Sequence, residues 1–346
     1  MQSDTIPDLV YFDPIGHEAH YAAGHPERPE RIEAIRQGLQ SQGLWEPYPH
    51  LAPRQIPREI LEKVHTPQYL RQLENACWGG EWLDMDTYTS PASWVLALNA
   101  AGGALAVAET VWQSQAWRGF ALARPPGHHA CSDRGMGFCL LNNVAIAAEG
   151  LIQAQGARRL AIVDLDLHHG NGTQEIFYER SDVFYISTHQ TPLFPGSGAI
   201  EEMGFRAGQG FTANLPLPPG AGDSAFSAGM EHFILPLLEK YHPEALLVSI
   251  GFDVHWRDPL GSLQLSAEGQ YRLIRSLTQF ADLHCAGHIA LFLEGGYDLQ
   301  ASSVCAQASV AGLLNLPFHD LLGPAPGEEG EHWQVWLERA RKQWGL

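Results

Sequence analysis

Short apolar, β-branched runs alternate along this chain with longer stretches whose apolar positions recur at helical spacing. The runs predict strands over Leu9–Phe12, Gly119–Ala123, Leu160–Leu167, Val183–Thr188, Ala245–Gly251 and His288–Glu294. Helices are predicted over Pro29–Gln42, Pro67–Cys77, Ala92–Trp112, Asn142–Gln155, Ser224–Tyr241, Ala267–Cys285 and Ser302–Asn315. Ser266 precedes the sixth helix as an N-cap, with Gly269 where a full capping box would carry an acid. Strands that are apolar throughout must be covered on both faces. The pattern therefore predicts an α/β fold, a central and mostly parallel sheet with helices on both sides. No repeat or low-complexity linker divides the chain, and the Pro/Gly/Glu-rich stretch Gly323–Gly330 precedes only a short amphipathic tail helix, Glu331–Trp344. One domain over residues 1–346 is expected.

In open α/β sheets, ligands bind outside the carboxyl ends of the strands. Five predicted strands run into polar or glycine-bearing segments: ARPPGHHA, DLDLHHGNG, STHQ, GFDVHWRDPLG and EGGYDL. These five ends would share one crevice.

The formal charge of −18 over 346 residues gives no Lys/Arg surplus for neutralising phosphates, so direct nucleic-acid binding is not expected. Five cysteines, an odd number without a C-x-x-C, argue against a disulfide framework and for a reducing compartment. The first residues, MQSDTIPD, show no basic region followed by an apolar one. The most apolar stretch, Trp94–Trp112, contains Asn99, Glu109 and two glycines and reads as a buried helix, not a membrane span. A cytoplasmic protein is expected.

Asp164, Asp166 and His168 stand two apart in a predicted strand, which would send all three side chains from one face. Two buried carboxylates and an imidazole require a cation among them, and their O and N donors suit zinc. A catalytic zinc takes a third ligand from elsewhere. Asp253, the first acid after ALLVSIGF, is the leading candidate, and Asp258 is a rival on spacing. The pair His128 and His129 follows a Pro-Pro-Gly turn. Adjacent imidazoles titrate as a coupled pair, so one stays neutral near pH 7 and can serve as a general base. Tyr297, on a mobile Gly295–Gly296 turn, offers a phenol to an oxyanion. Gly137–Phe138 and Phe194–Pro195–Gly196 present aromatics on turns, suited to walls of a slot. Taken singly, each feature also fits loop histidines, surface acids or core packing. Together they describe metal-assisted hydrolysis of a carbonyl compound. There is no G-x-S-x-G elbow, Walker loop or G-x-G-x-x-G after a strand.

HPERPERI from His25, RPPGHHA from Arg124, GFCLLNN from Gly137, DLDLHHGNGTQ from Asp164, GFD with DPLG between Gly251 and Gly261, and EGGYDL from Glu294 occur in this order. In these motifs the chain resembles the zinc-dependent histone deacetylases, closer to the class II branch and its bacterial relatives than to class I. The resemblance implies an open arginase–deacetylase fold with zinc on Asp166, His168 and Asp253. It implies that His128 leans on Asp164, that His129 is the general base and then acid, and that Asn171 partners His129 where class I has an aspartate. A potassium site would use Asp164, Ser187 and carbonyls of Asp166, His168 and Thr188. A second monovalent cation would sit on carbonyls of Phe177, Arg180, Val183 and Phe211. Gly137 matches the residue whose carbonyl accepts the acyl-lysine N–H, and Phe138 and Phe194 match the aromatics that clasp the lysine methylenes. Two features depart from the family: VHWR stands between Asp253 and Asp258 where eukaryotic relatives commonly have small residues, and Asn143 stands where class I members have an acid.

The expected activity is hydrolysis of Nε-acyl-lysine, acetyl first, in a protein or peptide partner. An acetylpolyamine deacetylase is the alternative. Leu260 opposes it, because polyamine specialists carry a glutamate at the matching rim position and leucine cannot attract a distal ammonium. A third reading, an acyl-lysine-binding protein of low turnover, is opposed by Tyr297, since poorly active relatives have histidine there. Oligomeric state is not legible.

Overall fold

The computed structural model describes residues 6–346; residues 1–5, part of the segment read above for a leader, lie outside the described residues. Eight strands form one sheet in the order β2-β1-β3-β8-β7-β4-β5-β6. They are β1 (Val10–Phe12), β2 (His50–Leu51), β3 (Arg118–Ala121), β4 (Leu160–Asp164), β5 (Val183–Gln190), β6 (Thr212–Leu217), β7 (Ala245–Ile250) and β8 (Ile289–Leu293). Every pairing between these eight strands is parallel, so the expected mostly parallel sheet is parallel throughout. All carboxyl ends therefore open on one edge.

Alternate residues of β4 feed two separate cores. Ala161 and Val163 pack with Ile32, Leu273 and Val310 on one face, and Leu160 and Ile162 pack with Leu73, Val107 and Ala148 on the other. This is the double cover that the unbroken apolar strands demanded. Helix Ser93–Trp112 is the one described helix long and apolar enough to cross a membrane, and 78% of its most apolar window is buried in this core. Ser266 caps its helix as expected, its side chain accepting from the N–H of Gly269.

Several expectations need correction. β2 and β6 escaped the pattern because the first is two residues long and the second, TANLPL, mixes Thr, Asn and Pro into its apolar run. The predicted helix Ser224–Tyr241 is three pieces, Asp223–Gly229, a π-helical turn Met230–Ile234 and Leu235–Tyr241, with Pro236 early in the last. Pro lacks the N–H that an uninterrupted α-helix would use there. The helix placed at Ser302–Asn315 starts earlier, at Leu299, capped by Asp298, and ends at Leu313.

The tail is bound to the body. Both Glu329 oxygens cap helix Asp223–Gly229, taking the N–H groups of Gly222, Ser224 and Ala225 at 2.8 Å each. Helix Trp333–Trp344 follows and brings Trp344 to 5.6 Å from the Phe184 ring of β5.

Candidate active site

β4 ends at Asp164, three residues short of the predicted Leu167, so Asp166 and His168 do not lie in a strand. The cause is a change of hydrogen-bond partner. Leu165 N–H still donates to Ser249 of β7, but the N–H groups of Asp166, Leu167 and His168 turn to carboxylates of Asp164, Asp253 and Asp166 at 3.3, 3.1 and 2.8 Å. The chain bends, and Asp166, His168 and Asp253 converge with one donor atom each within 4.8 Å of one another. His168 Nδ1 lies 3.2 Å from Asp166 Oδ1 and 3.3 Å from Asp253 Oδ2.

These donors fit a divalent cation. Asp253 Oδ2 is buried without a hydrogen-bond donor, an expensive state for a carboxylate. Burial alone would lower His168, but Asp166 and Asp253 carry it up to about 9. A cation among the three groups would take over the balancing that raises His168, since metal binding displaces protons from its ligands. Burial and the neighbouring Asp166 push the Asp253 carboxyl up, while His128 and His168 draw Asp166 far down against its burial. Glycine is required at 251 and 295, because a Cβ at either would run into the carboxylates of Asp166 and Asp253.

Asp258 is not part of this cluster. Its Oδ2 accepts from the N–H groups of Tyr297 and Asp298 at 2.6 and 3.2 Å, and its Oδ1 from Leu260 N–H at 3.0 Å. Both oxygens are spent on backbone N–H groups, and it is Asp253 that converges with Asp166 and His168. The same bonds correct the expectation of a mobile turn: Tyr297 is 8% exposed, with the Arg31 guanidinium 4.8 Å over its ring and Phe138 edge-on at 5.7 Å. Burial holds the phenol well above its usual pKa, so it remains a donor.

The paired histidines have different partners. His128 Nδ1 meets Asp164 Oδ2 at 3.1 Å, and His129 Nδ1 meets Asn171 Oδ1 at 2.8 Å. Burial opposes charge on His128, but Asp166, Asp164 and Glu294 raise it to about 10; a dication among those carboxylates would take over that balancing role. Burial and the neighbouring His128 and His168 hold His129 well below the ordinary histidine range. His129 is the neutral member of the pair. Gly137 (φ 55) and Phe138 (φ 69) turn the chain tightly between Met136 and Cys139, with Thr87 Oγ1 accepting Phe138 N–H at 3.0 Å. A Cβ on Gly137 would lie 2.5 Å from His129 and 2.9 Å from Phe194. Phe194, 40% exposed, stands edge-on to His129 at 5.1 Å. Phe138 and Phe194 thus flank Tyr297 and His129 respectively.

The residues read as cation sites fall in two places. Ser187 of β5 pairs in register with Asp164, and Thr188 follows it. Phe177, Arg180, Val183 and Phe211 gather near the opposite end of β5; Phe177 and Phe211 carbonyls accept from Arg180 and Tyr185 N–H at 3.0 and 3.1 Å.

Sequence reasoning missed the groups beneath the site. Glu294 accepts from Gly127 and His128 N–H at 2.6 and 3.0 Å and fixes the histidine turn. Glu27 is fully buried between Arg31 (3.1 Å) and Arg124 (2.8 Å), and Arg31 Nε donates to Gly296 at 2.6 Å. The visible signal was the four-residue spacing of Glu27 and Arg31 in HPERPERI. Burial opposes the Glu27 charge, but the two arginines bring its pKa down to about 2. Glu27→Gln, which strands two buried cations, is expected to cost roughly 3–5 kcal/mol at neutral pH. The folded pKa is depressed, so this contribution is full above the ordinary 4.5 and is lost as pH falls towards about 2. Urea titrations of both proteins across that range check it; parallel curves at all pH values would refute it.

A parallel sheet carrying two carboxylates and a histidine on its open edge, beside a neutral imidazole and a buried phenol, is the open α/β framework of the arginase–deacetylase fold. Residues 25–313 match the histone deacetylase domain, and the chain belongs to that family. It is 42% identical to a probable deacetylase of Archaeoglobus fulgidus over 280 residues, 80% of this chain and 78% of that protein. It is 36% identical over 293 residues to the histone deacetylase-like amidohydrolase of Pseudomonas aeruginosa, 84% and 77% of the two chains. The crystal structure of the HDA15 HD domain superimposes with a TM-score of 0.89 at 33% identity, covering 98% of this chain and 96% of that one.

Proposed function

We propose that this family member is a zinc-dependent amidohydrolase that removes acetyl groups from Nε-acetyl-lysine in a protein or peptide. The observation that carries the reading is the convergence of Asp166, His168 and Asp253 with neutral His129 and protonated Tyr297 between two aromatic walls. Zinc held by those three residues would supply Lewis acidity and lower the pKa of water.

The chain's own groups do the rest. His129, with its Nδ1 proton held by Asn171, takes a proton from water on its other nitrogen and later gives it to the leaving amine. His128, against Asp164, orients the attacking side and balances its charge. Tyr297 donates a hydrogen bond from its hydroxyl to the carbonyl oxygen as negative charge develops there, and keeps its proton. The Gly137 carbonyl accepts the amide N–H, and Phe138 and Phe194 exclude water from the lysine methylenes. Potassium on Asp164, Ser187 and the carbonyls of Asp166, His168 and Thr188, and a second cation at the Phe177–Phe211 set, would offset the buried negative charge. All five cysteines are free and buried, which supports a cytoplasmic setting.

Leu260 favours acyl-lysine over acetylpolyamines. It is half-buried against the core, and its N–H is held by Asp258. Leu260→Glu is expected to shift the kcat/KM ratio toward N-acetylputrescine by roughly tenfold at low salt, about the effect of one desolvated charge pair. Steady-state assays of an acetyl-lysine peptide and N-acetylputrescine test both statements. Wild-type preference for the polyamine would overturn the substrate assignment, and an unchanged ratio in the variant would overturn the role of Leu260.

A further inference from the structure

Asn171 holds the His129 proton with an amide, and an amide has a wrong way round. One end accepts and the other donates twice. A carboxylate in this position would have no such ambiguity. Its oxygen faces His129 Nδ1 at 2.8 Å. Its nitrogen faces two sulfurs, Cys131 Sγ at 3.3 Å and Met136 Sδ at 3.5 Å. Neither sulfur belongs to the groups assigned a function above.

We propose that Cys131 and Met136 are positioning residues that fix the Asn171 amide and, through it, the tautomer of His129. The proposal rests on the reading of His129 as the proton carrier. A thioether accepts and cannot donate, so Met136 tolerates only the N–H₂ end of the amide. The Cys131 S–H points to the His129 carbonyl at 3.6 Å, which leaves the sulfur lone pairs free for Asn171. Cys131 is fully buried, and burial with the nearby Glu175 pushes its thiol up to about 12, so it remains neutral. Reversing the amide would set its oxygen against the Met136 sulfur and its N–H₂ against His129 Nδ1. His129 would then carry its proton on the nitrogen that must accept one, the wrong form for a base. The pinning matters because a surface cleft of about 650 Å³ reaches both Met136 and Asn171. Water there would satisfy either amide orientation, and the sulfurs remove that freedom.

The test uses the zinc-loaded protein and an acetyl-lysine peptide. Cys131→Ala with Met136→Leu should lower kcat about tenfold, the scale of one net hydrogen bond, with KM within about twofold and zinc content unchanged. The ¹⁵N shifts of His129, assigned by difference from His129→Ala, should move from a single Nδ1–H tautomer to an average of two. Cys131→Ser with Met136 retained should recover much of kcat, since a hydroxyl also accepts from Asn171. In an Asn171→Asp background the double change should cost little more, because a carboxylate cannot be reversed. Unchanged kcat and tautomer in the double variant, or an equal loss in the Asn171→Asp background, would overturn the proposal. Substantial turnover by His129→Ala would instead overturn the underlying role of His129.

Discussion

Tyr297→Phe is expected to lose about 10²–10³-fold in kcat while its KM, fold and zinc content stay close to wild type. Only an oxygen is removed. The ring stays under Arg31 and against Phe138, and the backbone stays on Asp258. What disappears is a hydrogen bond that strengthens as the carbonyl oxygen gains charge, and such a loss appears in kcat before KM. Steady-state kinetics on an acetyl-lysine peptide, with metal analysis of the same preparation, decides it. A variant with near wild-type kcat would return EGGYDL to a purely structural turn.

The second expectation separates two aspartates five residues apart. Asp253→Ala should fold, lose most of its zinc and fall to background activity, because two ligands rarely hold a catalytic zinc. Asp258→Ala should keep its zinc yet lose turnover, because the N–H groups of Leu260, Tyr297 and Asp298 lose their acceptor and the phenol its fixed position. Elemental analysis of both variants gives the answer. Full zinc in Asp253→Ala with depletion in Asp258→Ala would exchange the two roles.

The sheet was legible because its central strands are apolar from end to end, and such runs have few other uses. The site followed from it, since parallel strands send the polar segments after β3, β4, β5, β7 and β8 to one edge. What escaped is physically specific. The halt of β4 at Asp164 depends on carboxylates that capture backbone N–H groups, and one of them, Asp253, lies 86 residues from Leu167, whose N–H it takes. Asp258 looked like a ligand because spacing cannot show that both its oxygens are already engaged. Glu27 and Arg124, 97 residues apart, form a buried pair that no local pattern announces. Long-range polar partnerships are invisible to periodicity; apolar ones are not.

The Glu329 carboxylate has a practical consequence for anyone cutting this gene. The family match stops at residue 313, an inviting place to end an expression product. A protein trimmed there would leave Gly222, Ser224 and Ala225 without their acceptor and uncover the Phe184 side of β5 that Trp344 shields. Poor solubility of such a product would then reflect a misplaced terminus and not the folding of the whole chain.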